Sequence, residues 1–138
     1  MSANAPPLPG FVPTELVDPF EIFMGPLFES GAKGAKTFAL RVDARHVNRR
    51  AVLHGGMFMT LADMTLGQAV WDATGNAPCV TMNMQSYFLK PAIEGDIILV
   101  TPELVRRTRS LVFVRGDFKV RGETVFSAAT VWKLLGMD

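Results

Sequence analysis

The sequence predicts an α+β domain in which an antiparallel sheet of about five strands wraps one long helix. Two observations carry that expectation. The hydrophobic pattern runs as one alternating stretch, one long helix-forming stretch, then four strand-like stretches joined by short polar breaks. Consecutive strands joined by short turns pair antiparallel. The helix-forming stretch is also apolar nearly all round, so it must be covered on most sides.

In chain order, residues 1–17 read as a flexible or extended tail, because Pro6, Pro7, Pro9, Gly10 and Pro13 crowd its start. The domain proper then runs over residues 18–138. Pro19–Phe28 suits a short helix interrupted at Gly25–Pro26. Ala35–Ala44 alternates, with Phe38, Leu40 and Val42 on one face. Beyond Gly55–Gly56, the spacing predicts a helix over Met57–Asp72, ending near Gly75–Asn76. The later strands are expected at Cys79–Leu89, Asp96–Val105, Leu111–Val120 and Thr124–Leu135, with a tight hairpin at 120–123.

The 138 residues, 49% of them hydrophobic, suffice for one domain with its own core. Cys79 is the only cysteine, so no internal disulfide forms. Net charge of +1 argues against a nucleic-acid binder. The chain opens with neither a secretory signal pattern nor a membrane-spanning run, so the cytoplasm is the expected location and no membrane partner is expected.

Asp63 stands in the middle of the apolar helix, on one narrow stripe with Thr60 and Gly67. One reading is a solvated carboxylate. The other is a buried functional acid, for which loss of water raises proton affinity and suits a general base. His54–Gly55–Gly56 precedes the helix, where unobstructed N–H groups and a positive dipole suit a developing oxyanion. The same glycines also suit a plain strand-to-helix turn. Met57, Met59, Met64, Met82 and Met84 fit either an apolar channel or core filler. One cysteine and the two histidines, His46 and His54, form no recognisable metal-ligand set, so no metal is expected.

Asn48 to Gly56 (Asn-Arg-Arg-Ala-Val-Leu-His-Gly-Gly), followed by Leu61–Ala62–Asp63, resembles the acyl-coenzyme A thioesterases of the phenylacetate-degradation type, within the hotdog superfamily. Thr81–Met82–Asn83, Tyr87 to Ala92, Gly95–Asp96 and Arg109 to Val114 share the likeness, which covers about residues 18–135. The resemblance implies a hotdog fold and hydrolysis of acyl-coenzyme A. It implies Asp63 as general base or nucleophile, the Gly55 N–H as oxyanion donor, and Asn48, His54 and Thr81 as supporting groups. It places Asn48, His54 and Gly55 in one chain of a dimer and Asp63 and Thr81 in the other. The Cys79–Leu89 strand would pair with its twin, and dimers would pair into tetramers. Gly56 and Gly67 are expected near the substrate, with Gly67 leaving room for an acyl group. Lys90, Arg107 and Arg109, with Ser110 nearby, are the expected contacts for the coenzyme A phosphates. Coenzyme A enters as part of the substrate, so no separate cofactor is expected. Two other classes remain open: a hotdog hydratase or dehydratase, and a non-catalytic acyl-coenzyme A binding module.

Overall fold

The computed structural model describes residues 5–15 and 18–137. The first four tail residues and the expected boundary at 16–17 lie outside them. The described elements are β1 (Val12–Pro13), α1 (Pro19–Met24), β2 (Phe28–Ser30), β3 (Thr37–Arg41), α2 (Gly55–Thr74), β4 (Cys79–Phe88), β5 (Ile97–Val100), β6 (Glu103–Arg107), β7 (Leu111–Val120) and β8 (Glu123–Leu134).

The strands form one antiparallel sheet in the order β1-β2-β3-β5-β7-β8-β4, with β6 pairing to β7 off that path. The described residues therefore hold eight strands, not about five. Three short or broken pieces account for the difference. β1 and β2 span two and three residues, too short for alternation to register. The run expected at 96–105 splits into β5 and β6 around Pro102, which has no N–H to give a ladder. Part of the proline-rich opening is thus drawn into the sheet, because Val12 and Pro13 pair with Glu29 and Phe28.

Helix α2 lies against the sheet, burying Phe58, Leu61, Ala62, Leu66 and Val70 on residues of β3, β5, β7 and β8. It runs 20 residues and stops at Gly75, whose left-handed backbone (φ 67°) lets its N–H cap the Trp71 carbonyl. The helix start is pinned by stacked rings: Phe58 lies on Phe126 at 4.8 Å, and Phe88 and Phe118 meet Phe126 edge-on at 5.0 and 5.3 Å. That cluster fixes Gly55 beside the end of β4. At the hairpin between β7 and β8, Arg121 and Gly122 both take positive φ (49° and 78°), the backbone of a type I′ turn. No described helix is long and apolar enough to cross a membrane.

The sheet leaves two things open. β4 is an edge strand ten residues long, with Val80, Met82, Tyr87 and Phe88 exposed. The α2 stripe carrying Met59 and Asp63 is exposed as well.

Gly116 on β7 is packed closely between Val100 of β5 and Leu66 of α2. A Cβ there would sit 2.8 Å from Val100 Cγ2 and 3.1 Å from Leu66 Cδ2. Val100 is buried and stiff at χ1, so it yields little. Gly116→Ala is expected to cost about 1–3 kcal/mol by overpacking, read as a fall of several degrees in Tm. An unchanged Tm would mean that the helix has slack over the sheet.

Candidate active site

Helix α2 begins where the chain leaves the loop 47–53. His54 is its N-cap, and the ring Nδ1 accepts the Gly56 N–H at 3.0 Å. Gly56 therefore spends its N–H on His54 and offers none to a substrate. The Gly55 N–H has no partner among the described residues. It points out of the helix N-terminus, where the dipole is positive. Phe88 lies over Gly55 with its ring edge 3.4 Å from where a Cβ would stand, so the ring packs directly on the turn.

Asn48 shapes the preceding loop. Its Oδ1 accepts the N–H of Arg50 at 2.8 Å and of Val52 at 3.4 Å. The side-chain NH₂ keeps no partner among the described residues and remains a donor. His46 is a structural histidine. It is buried, its Nδ1 accepts the Asp43 N–H at 3.0 Å, and its Nε2–H therefore donates to the Met24 carbonyl at 2.7 Å.

Asp63 and Thr81 come together as the resemblance implies: the Thr81 hydroxyl donates to Asp63 Oδ1 at 2.6 Å. A bulge in the β4–β8 ladder between Thr81 and Asn83 aims that hydroxyl at the helix. Asp63 is not buried by its own chain, contrary to the reading of it as an enclosed acid. The sheet ends at β4, and the described residues leave the stripe uncovered.

Beside Asp63 opens a cavity of about 400 Å³, walled by Met59, Met64, Met84, Trp71 and Trp132. Of the five methionines that fit either a channel or core filler, Met59, Met64 and Met84 line the cavity. Met57 belongs to the core and Met82 is exposed on the edge strand. Gly67 lines the cavity, but the room it leaves is taken by Trp132, whose Cη2 lies 3.0 Å from where a Cβ would be. Cys79 also borders the cavity. Burial, and to a lesser extent the Asp63 charge, push its thiol up, with Trp71 opposing, so it is a poor nucleophile.

The residue that sequence reasoning missed is Glu21 of α1. It is only 7% exposed, it lines the same cavity as Asp63, and its Oε2 has no hydrogen-bond partner among the described residues. Burial first, then the charges of Asp18 and Asp63, push its carboxyl from 4.5 up to about 7. Its neighbours Phe20, Ile22 and Phe23 are exposed, so α1 turns its apolar residues outward and its acid inward. The hydrophobic pattern pointed the other way.

The four expected phosphate contacts do not gather in one chain. Lys90 is paired with Glu123. Arg107 donates to the Ala73 carbonyl at 2.7 Å, near the end of α2. Arg109 is exposed in the β6–β7 turn, and the neighbouring Ser110 carbonyl accepts the Leu134 N–H at 2.8 Å. Lys90 lies beside the start of β8 and the other three near its end, separated by about 25 Å of strand.

Residues 51–127 match the family model of the thioesterase superfamily. A mouse protein named acyl-coenzyme A thioesterase 13 is 30% identical over 78 residues, 56% of each chain, so the match spans little more than half of that relative. The Pseudomonas aeruginosa protein PA0474 is 30% identical over 127 residues, 91% of this chain and 95% of its own. Among solved structures, a point mutant of the phenylacetic acid degradation protein PaaI from Thermus thermophilus superposes with a TM-score of 0.77. It is 24% identical and covers 86% of this chain and all of its own. The sheet wrapped on α2 is thus the hotdog fold that the sequence motifs implied.

Glu21 has a consequence for stability. Its carboxyl holds a proton up to about pH 7 when folded and releases it near 4.5 when unfolded. Below both values it contributes nothing. As pH rises between them, the unfolded chain ionises first and stability falls, by up to about 3 kcal/mol once both states are ionised. Glu21→Gln is expected to remove this slope. Tm measured from acid to neutral pH, wild type against variant, checks it; parallel curves would refute it.

Proposed function

Because the chain belongs to the thioesterase superfamily, we propose that it hydrolyses acyl-coenzyme A thioesters to the free acid and thiol, at a site built on Asp63 and Gly55. The observation that carries this reading is the Thr81–Asp63 hydrogen bond beside an apolar cavity. Thr81 occupies one carboxylate oxygen and leaves the other free to accept a proton. The cavity walls suit an acyl group. The name of the mouse relative supports coenzyme A as the thiol carrier.

In this reading the thioester oxygen rests on the free Gly55 N–H, and the Asn48 NH₂ steadies the substrate. Asp63 acts as general base. It takes a proton from water as the water oxygen bonds to the carbonyl carbon. The carbonyl electron pair moves onto oxygen, where the Gly55 N–H and the helix dipole stabilise it. Collapse breaks the C–S bond, and the sulfur takes the proton from Asp63. His54 serves by capping the helix. Its Nδ1 accepts the Gly56 N–H, which commits that nitrogen to the turn.

The two key groups belong to different subunits. Gly55 and Asp63 are eight residues apart on one helix, which puts them about 12 Å apart along its axis. A carbonyl held by the Gly55 N–H is out of reach of the same chain's Asp63, since both contacts need about 3 Å. A dimer that joins two β4 edges would cover the exposed Val80, Met82, Tyr87 and Phe88 and the open α2 stripe. It would also face Gly55 of one chain with Asp63 of the other. Arg109, with Lys90 and Arg107, remains our choice for the phosphate contacts. The single thiol and the absence of disulfides fit a cytoplasmic enzyme.

Asp63→Asn is expected to lower turnover by roughly 10²–10⁴, with the fold intact. A panel of acetyl-, hexanoyl-, palmitoyl- and phenylacetyl-coenzyme A, read with a thiol reagent, gives both the preferred acyl group and the size of this loss. A folded Asp63→Asn protein with near-normal turnover would sink the assignment.

A further inference from the structure

We propose that Glu21 positions the attacking water against Asp63. The proposal rests on the reading of Asp63 as the base of thioester hydrolysis and adds a second acid to that site.

A water that attacks along one line must be held by more than one group, and ordered waters take two to four polar partners. Asp63 supplies one acceptor, because Thr81 occupies its other oxygen. The cavity wall is apolar at Phe20, Met59, Met64, Met84, Trp71 and Trp132 and carries Asp18, Thr60 and Gln68 as its other polar side chains, the Thr60 hydroxyl donating to the Gly56 carbonyl at 2.8 Å. Glu21 brings into this same space a buried oxygen without a partner among the described residues. A buried polar atom left unsatisfied is costly, and such exceptions call for a bound water or a ligand.

The placement of Glu21 is enforced. Asp18 caps α1 by accepting the Glu21 N–H at 2.8 Å. At the other end, Arg45 donates to the carbonyls of Phe23 and Gly25, and His46 donates to that of Met24. Polar ties at both ends hold a six-residue helix whose Phe20, Ile22 and Phe23 are exposed and whose Glu21 is buried.

The charge state follows from the surroundings. The titratable groups that border the carboxyl are Asp18 at its own helix start, Asp63 on α2 and the Cys79 thiol on β4. Arg45 and His46 engage the backbone at the far end of α1. No cation pairs with Glu21 among the described residues. The neutral acid therefore gives the water one hydrogen-bonding partner while Asp63 takes its proton. Glu21 itself neither gains nor loses a proton in the cycle. Once Glu21 ionises, a second negative charge faces the developing oxyanion and slows the step.

The test measures thiol release at saturating concentration of the panel's fastest acyl-coenzyme A, from about pH 5 to pH 9, for wild type, Glu21→Gln, Glu21→Leu and Asp63→Asn. Wild-type kcat should fall above about pH 7. Glu21→Gln keeps a neutral hydrogen-bonding group, so it should retain kcat within a few-fold at about pH 6 and lose the high-pH fall. Glu21→Leu should lower kcat about 10–100-fold with KM nearly unchanged, the loss expected from a misplaced nucleophile. Circular dichroism confirms folding; if the leucine variant does not fold, the pH profile of Glu21→Gln decides alone. Full kcat in folded Glu21→Leu, or a high-pH fall that persists in Glu21→Gln, would overturn the proposal. An inactive Asp63→Asn beside an active Glu21→Leu rejects Glu21 only, whereas an active Asp63→Asn rejects the underlying reading.

Discussion

A straight α-helix advances about 1.5 Å per residue, and α2 is held rigidly along its length by the sheet. Its start is clamped by the Phe58–Phe126 stack, its middle by Leu61 and Leu66, and its end by the Gly75 cap. The positions of the Gly55 N–H and the Asp63 carboxylate are therefore fixed relative to each other. The same rigidity keeps them from meeting over one thioester. In the proposed function the chain would supply two half-sites, one at each end of the first half of α2, with the exposed Met59 between them.

The edge strand resolves this geometry in the dimer we propose. β4 carries Thr81, which orients Asp63, and Phe88, which packs on Gly55. One strand thus touches both half-sites, and its outer edge is unpaired. Pairing two such edges would bury the exposed apolar residues of β4 and bring the half-sites together by symmetry. Stability and catalysis would then depend on the same contact.

Much of this was legible in the sequence, for identifiable reasons. The strict alternation in Leu111–Val120 and the apolar run of α2 report burial directly, so those elements emerged within a few residues. Asp63 stood out because it broke an apolar pattern, and its partner Thr81 followed from the family motif. What stayed hidden depends on context. β1 and β2 are too short to alternate. Pro102 interrupts a run that looks continuous. Glu21 sits between Phe20 and Ile22, where its neighbours suggest an outward acid, and only the distant ties to Arg45 and His46 turn it inward. The partners of the basic residues were hidden too, since they come from distant parts of the chain: Lys90 pairs with Glu123 and Arg107 donates to the Ala73 carbonyl.

The central claim is that each site takes Gly55 and Asn48 from one chain and Asp63 and Thr81 from its partner. It is tested most directly by mixing two inactive proteins, Asp63→Asn and Asn48→Ala, after confirming that each is folded and dimeric. Unfolding and refolding a 1:1 mixture makes about half of the dimers mixed. In each mixed dimer, two-fold symmetry puts both defects in one site and leaves the other intact. Activity should recover to roughly a quarter of wild type by that symmetry. No recovery, with tagged chains proving that subunits exchanged, would contradict the shared site.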